Sequence, residues 1–190
     1  MNDKTINYAE LADRVIKKLK DRTEKKTVEM KFVNKVPGLL ESKIGGIPFI
    51  PQGGEWPLDK ITGKKLYLLI QINFAEVPAL PDYPKKGILQ IFIADDDMYG
   101  MDVKVGQYQD GWRIRFYEDI SDPLPVEEIQ KMMPKYDETA CLPFEQADSS
   151  CGIVFEERSM LISTEDYKFD SMFDEIMRSE LPEDELLGEC

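Results

Sequence analysis

Leu66-Tyr67-Leu68-Leu69-Ile70-Gln71-Ile72 and Gly87-Ile88-Leu89-Gln90-Ile91-Phe92-Ile93 decide the fold. Both runs are almost continuously apolar, rich in β-branched side chains and too short for an ordinary buried helix. They read as strands covered on both faces. The segment between them, Val77-Pro78-Ala79-Leu80-Pro81-Asp82-Tyr83-Pro84, has too many prolines for regular structure. Strands joined without a helical crossover pair antiparallel. Each run also holds one glutamine in the same frame, Leu69-Ile70-Gln71-Ile72 and Ile88-Leu89-Gln90-Ile91. Buried polar groups pair, so the two amides are expected to face each other across neighbouring strands.

Upstream, Tyr8, Leu11, Ala12, Val15, Ile16 and Leu19 recur at helical spacing and predict one apolar stripe. Thr27 to Asn34 alternates as a half-buried strand does. Residues 36–58 are punctuated by Pro37-Gly38, Gly45-Gly46, Pro48, Pro51, Gly53-Gly54 and Trp56-Pro57. That reads as an apolar loop packed onto the domain, with its glycines supplying positive φ in turns. Downstream, strands are expected at Trp112 to Tyr117 and at Gly152 to Glu157, with a short helix at Val126 to Met133. A last helix is expected from Thr164, with Phe169, Met172, Phe173, Ile176 and Met177 on its buried face. The class is therefore α+β: a mostly antiparallel sheet flanked by an N-terminal and a C-terminal helix, in a single domain over residues 1–190.

Composition narrows the chemistry. The 190 residues include no histidine, which removes imidazole-based triads, histidine-ligated zinc and imidazole pH switches from this chain. The formal net charge is −13, from 24 bases and 37 acids. Phosphate neutralisation by Lys and Arg dominates nucleic-acid affinity, so a nucleic-acid partner is not expected, and an anionic membrane surface is disfavoured likewise. The charge is uneven: residues 1–35 are net +4 and residues 156–190 are net −9. Solvated faces lying near each other account for this, or an acidic tail over residues 179–190 meeting a basic partner. Cys141, Cys151 and Cys190 form no CxxC pair and are odd in number, so reduced thiols and a cytoplasmic location are expected. Met1 leads into Asn2-Asp3-Lys4-Thr5 without an apolar run, which predicts no secretory leader.

No catalytic residues stand out, and no cofactor is expected. Asp95-Asp96-Asp97, with Asp102 nearby, is the densest carboxylate group and the candidate metal site. Consecutive acids on an extended chain point in different directions, which favours a solvated turn. Ser42-Lys43-Ile44-Gly45-Gly46 lacks the phosphate-loop pattern. Trp56, Tyr83, Tyr99 and Trp112 are the candidate partner-binding aromatics, since such side chains concentrate at interfaces as well as in cores.

Ser42-Lys43-Ile44-Gly45-Gly46-Ile47-Pro48-Phe49-Ile50-Pro51, Leu68-Leu69-Ile70-Gln71-Ile72-Asn73, Leu80-Pro81-Asp82-Tyr83-Pro84 and Gly87 to Ile93 follow one another over residues 42–95. In this order they resemble the YwqG-like family of uncharacterised bacterial proteins. The resemblance implies a cytosolic α+β fold without assigned catalytic residues, and a toxin-immunity-like role by association. A second Gly-Gly-x-Pro-Phe block of that family is missing, so the chain resembles an N-terminal portion or a shortened member. That implies an apolar sheet face left open. The functional expectation is a non-catalytic protein-interaction module with an acidic surface. The alternative is a carboxylate-based binder of a small ligand or divalent metal, or a hydrolase.

Overall fold

A computed structural model describes residues 7–101, 110–135, 140–144 and 150–181. In chain order the elements are α1 (Tyr8–Thr23), β1 (Lys25–Val33), β2 (Lys43–Gly45), β3 (Tyr67–Asn73), β4 (Ile88–Ile93), β5 (Trp112–Tyr117), α2 (Val126–Met132), β6 (Ser150–Met160) and α3 (Phe169–Glu180). A 3-10 turn, Phe74–Glu76, follows β3. The six strands form one sheet in the order β1-β6-β2-β3-β4-β5. The pairs β2–β3, β2–β6, β3–β4 and β4–β5 are antiparallel. The fold is α+β, with helices as its first and last elements. By its contacts the chain divides into two units, residues 1–28 with 157–190, and residues 29–156.

The first unit is built on α1 and α3. Asn7 caps α1: its side-chain oxygen accepts from the N–H groups of Ala9 and Glu10 at 3.2 and 3.4 Å, satisfying donors that a helix start leaves unpaired. Leu11 and Val15, one turn apart, bury against Ile176, with Leu19, Met172, Phe173 and Met177 around them. The stripe is narrower than the sequence suggests, because Tyr8 and Ile16 are exposed. Opposite charges meet beside it. Glu180 accepts from Arg14 at 2.6 Å and pairs with Lys18 at 2.5 Å, and Arg22 pairs with Glu175 at 3.0 Å. The basic first helix and the acidic last helix therefore neutralise each other locally. Helix α3 begins at Phe169 and not at Thr164. Ser163 Oγ accepts from Glu165 N, and Asp166 Oδ1 from Lys168 N. Such short side chains hold the backbone in turns and so delay the helix.

The second unit centres on β3 and β4. One face of this pair buries Leu68 and Phe92 against Ile50, Trp56, Leu66, Ala94, Leu124 and, from α2, Ile129. Phe92, Ile50, Leu66 and Ile129 have no exposed surface, and each such side chain contributes about 1.5–3 kcal/mol by leaving water. The opposite face is only half closed. Ile70, Ile72, Leu89 and Ile91 are half-buried, and Ile114 and Phe116 of β5 are 44% and 47% exposed. Tyr67 and Ile93 close one end of that face, packed by Leu142 and Phe144. The expectation of cover on both faces thus holds in full for one face and in part for the other. Residues 36–58 pack down as expected, but they also contribute β2, whose Ile44 pairs with Ile70 on one side and Cys151 on the other. Gly46 follows that strand at φ +71°, and a Cβ there would lie 2.6 Å from Ser150 Cβ. Only glycine fits that backbone and that spacing. Among the described residues, no helix is long and apolar enough to cross a membrane.

Candidate functional site

Strands β2 to β5 bring four polar side chains into one cross-strand row. Lys43 lies opposite Gln71, Gln71 opposite Gln90, and Gln90 opposite Arg115. Directly opposed residues share a face, so all four point the same way. The chain from Gly38 to Glu55 has little regular structure, and its buried carbonyls need donors from elsewhere. The row supplies them. Lys43 Nζ donates to the carbonyls of Gly38, Leu39 and Ile47 at 2.6, 3.0 and 3.0 Å. Gln71 Nε2 donates to Leu39 and Glu41 at 2.8 and 3.0 Å. Gln90 Nε2 donates to Phe49 at 2.7 Å, and Arg115 Nη1 to Glu55 at 2.6 Å. Phe49 N–H in turn donates to Gln71 Oε1 at 2.8 Å. Each neutral bond is worth about 1 kcal/mol net, and more where the donor is charged.

Lys43 is the electrostatic centre of this row. The residue is 2% exposed, and burial pushes its ammonium down to about 8, opposed by the charges of Glu41 and Glu76. Both carboxylates are engaged elsewhere. Glu41 accepts from Lys35 Nζ at 2.7 Å and Gly38 N–H at 2.6 Å, and these bonds hold its carboxyl below the usual range. Glu76 accepts from the Ser42 N–H at 2.9 Å. Ser42 Oγ accepts from Asn73 N–H at 2.8 Å.

Beside Lys43 opens a cleft of about 590 Å³. Its walls are Val36, Pro37, Leu39 and Ile47 on one side and Val126, Gln130, Met133 and Pro134 of α2 and its end on the other, with Ser150 closing one edge. Lys43 is the sole charged residue among these lining groups. Apolar walls with a few polar groups are the ordinary makeup of a small-ligand or peptide site.

The residues singled out in the sequence lie elsewhere. Trp56 is buried, donates Nε1–H to Leu66 O at 2.8 Å and meets Phe92 edge to face, so it offers a partner little surface. Tyr83 is 59% exposed, Tyr99 is 40% exposed in a turn at φ 53°, and Trp112 is half-buried on β5. None of these three lines the cleft. The Asp95 carboxylate faces Lys64 Nζ at 3.3 and 3.4 Å. Asp96 Oδ1 accepts from Met98 and Gly100 N–H at 2.9 Å each. Asp97 is exposed, and Asp102 lies outside the described residues. Among the described residues, no three His, Cys, Asp or Glu side chains gather as a metal site would.

Residues 42–188 match a domain of unknown function, DUF1963. The chain belongs to that family. No curated protein matches it. In this DUF1963 protein the polar row and most of the cleft fall inside the matched region. Sequence reasoning anticipated Gln71 and Gln90 but missed Lys43, whose signal was its place between Ser42 and Ile44, just before a glycine turn. The cleft had no local signal, because its walls are 80 to 100 residues apart in the chain, roughly the distance from Val36 to Met133.

Proposed function

We propose that this protein is a non-catalytic protein-interaction module with an acidic surface, seating an apolar segment of its partner between residues 36–47 and α2. The observation that carries the reading is the cleft itself, lined by Val36, Pro37, Leu39, Ile47, Val126 and Met133. The flexible Met133 side chain in its wall adapts to varied apolar side chains. The Lys43 amine donates to three carbonyls, which leaves it no lone pair with which to act as a nucleophile or base in that state. Glu127 and Glu128, exposed in the first turn of α2 beside Val126, add to a net charge of −13 that would steer a basic partner.

The same reading extends to a YwqG-like bacterial cytoplasmic protein, with an immunity-like role against a basic toxin as one form of it. The carboxylate or metal alternative has less support, since Asp95 and Asp96 already have partners. The test is a selection of displayed random peptides on the folded protein. Selected peptides should share apolar anchors and should lose binding to Val126→Asp and Met133→Asp. Peptides that bind both variants as well as the parent would overturn the cleft as the site.

A further inference from the structure

We infer that the cleft takes a carboxylate, specifically the free C-terminus of an apolar partner segment, with Lys43 as its counter-charge. The inference rests on the peptide-binding reading above and names the chemistry of its ligand. Lys43 is buried at 2% exposure and lines a space of about 590 Å³ in which, among the described residues, every other lining residue is uncharged. Three carbonyls hold its ammonium, but carbonyls are dipoles and leave the full positive charge uncancelled. Among the described residues, no carboxylate forms an ion pair with it; Lys35 and Glu41 pair with each other. Glu41 and Glu76 act on this charge only from beyond ion-pair distance, so an anion entering beside it relieves part of the cost of burying it.

The rest of the cleft fits a chain end. Val36, Leu39, Ile47 and Met133 give an apolar body somewhere to lie. Gln130 and Ser150 offer neutral polar groups at the edge. An incoming carboxylate takes over one Lys43 N–H from a carbonyl, in a bond strengthened by both charges. The charged groups around Lys43 are Glu41 and Lys35 on the loop and Glu76 after β3. Among the described residues, α2 and its end line the cleft with Val126, Gln130 and Met133, and the α2 carboxylates Glu127 and Glu128 are exposed beside Val126. Binding therefore requires the protonated lysine, whose proton burial already loosens toward about 8, and affinity should fall as pH rises above that value.

The experiment uses the full chain and two pools of hexapeptides ending in Val, Leu, Ile or Phe, one with a free carboxylate and one capped as carboxamide. The carboxylate pool is expected to bind about tenfold tighter at pH 7. That preference should vanish in Lys43→Met and shrink between pH 8 and 10 in the parent. Equal binding of both pools to the parent, with loss in Met133→Asp, overturns the carboxylate inference and leaves the cleft reading standing. Binding of neither pool overturns both. Should Lys43→Met fail to fold, the pH series on the parent decides, and a preference that is flat to pH 10 overturns the inference.

Discussion

Gln90 Nε2 donates to Gln71 Oε1 across 2.9 Å at the centre of the β3–β4 pair. The exchange is one-way: Gln71 sends its own N–H groups to Leu39 and Glu41, and Gln90 Oε1 is buried without a partner among the described residues. The two amides thus do different work. Gln71 is the hub that ties the Gly38–Glu55 segment down, and Gln90 is a supporting donor.

That asymmetry predicts unequal costs. Gln71→Met strips the Phe49 N–H and the Glu41 carbonyl of these side-chain bonds and leaves Leu39 O with Lys43. Gln90→Met takes a donor from Phe49 O and from Gln71 Oε1, which keeps the Phe49 N–H, and removes an oxygen that was already unpaired. Unsatisfied buried groups cost about 1–3 kcal/mol each. Urea unfolding should show Gln71→Met about 1–3 kcal/mol less stable than Gln90→Met, a difference of one further unsatisfied group. Equal losses would remove Gln71 from its central role.

Lys43 predicts an unusual alkaline trend. Its proton is held less tightly in the folded protein, at about 8, than at the ordinary value of 10.5. Between those values the unfolded chain binds more protons, so stability rises with pH. The gain, complete only above about 10.5, is at most about 3 kcal/mol. Urea midpoints from pH 7 to 10.5 should climb in the parent relative to Lys43→Met. A difference that stays constant across the range would refute it.

Gly46 sits at φ +71° with Ser150 Cβ 2.6 Å from where its own Cβ would be. Gly46→Ala should cost at least about 2 kcal/mol, combining left-handed strain with the clash. Adding Ser150→Gly should recover the clash and leave the strain. Thermal midpoints of the single and double variants separate the two terms, and no recovery in the double variant would mean the contact with Ser150 is unimportant.

Ile176 has no exposed surface and joins Leu11 and Val15 in the smaller cluster. Ile176→Ala should cost about 2–4 kcal/mol and should speed amide hydrogen exchange in α1 and α3. Unchanged protection in both helices would show that this cluster does not hold them.

The strands of this fold were legible where apolar residues ran continuously, as at Leu66 to Ile72 and Ile88 to Ile93. The pairing of Gln71 with Gln90 followed from their shared frame, and the structure places them in register. Strand β2 was not legible, because Lys43–Gly45 is too short to show a period and glycines follow it at once. The late start of α3 was hidden because Ser163 and Asp166 look like caps and act as turn formers. The cleft was invisible for a different reason: burial of a lysine depends on carbonyls contributed by a folded loop, which no periodicity encodes.

Ile114 and Phe116 leave one side of the sheet oily on a molecule that carries thirteen excess negative charges. Mutual repulsion opposes contact between copies near neutrality. Toward pH 4.5, where the sequence is isoelectric, that brake disappears, and these faces are free to stick to one another. Light scattering during an acid titration should then rise steeply near that pH, and a Phe116→Lys variant should stay clear.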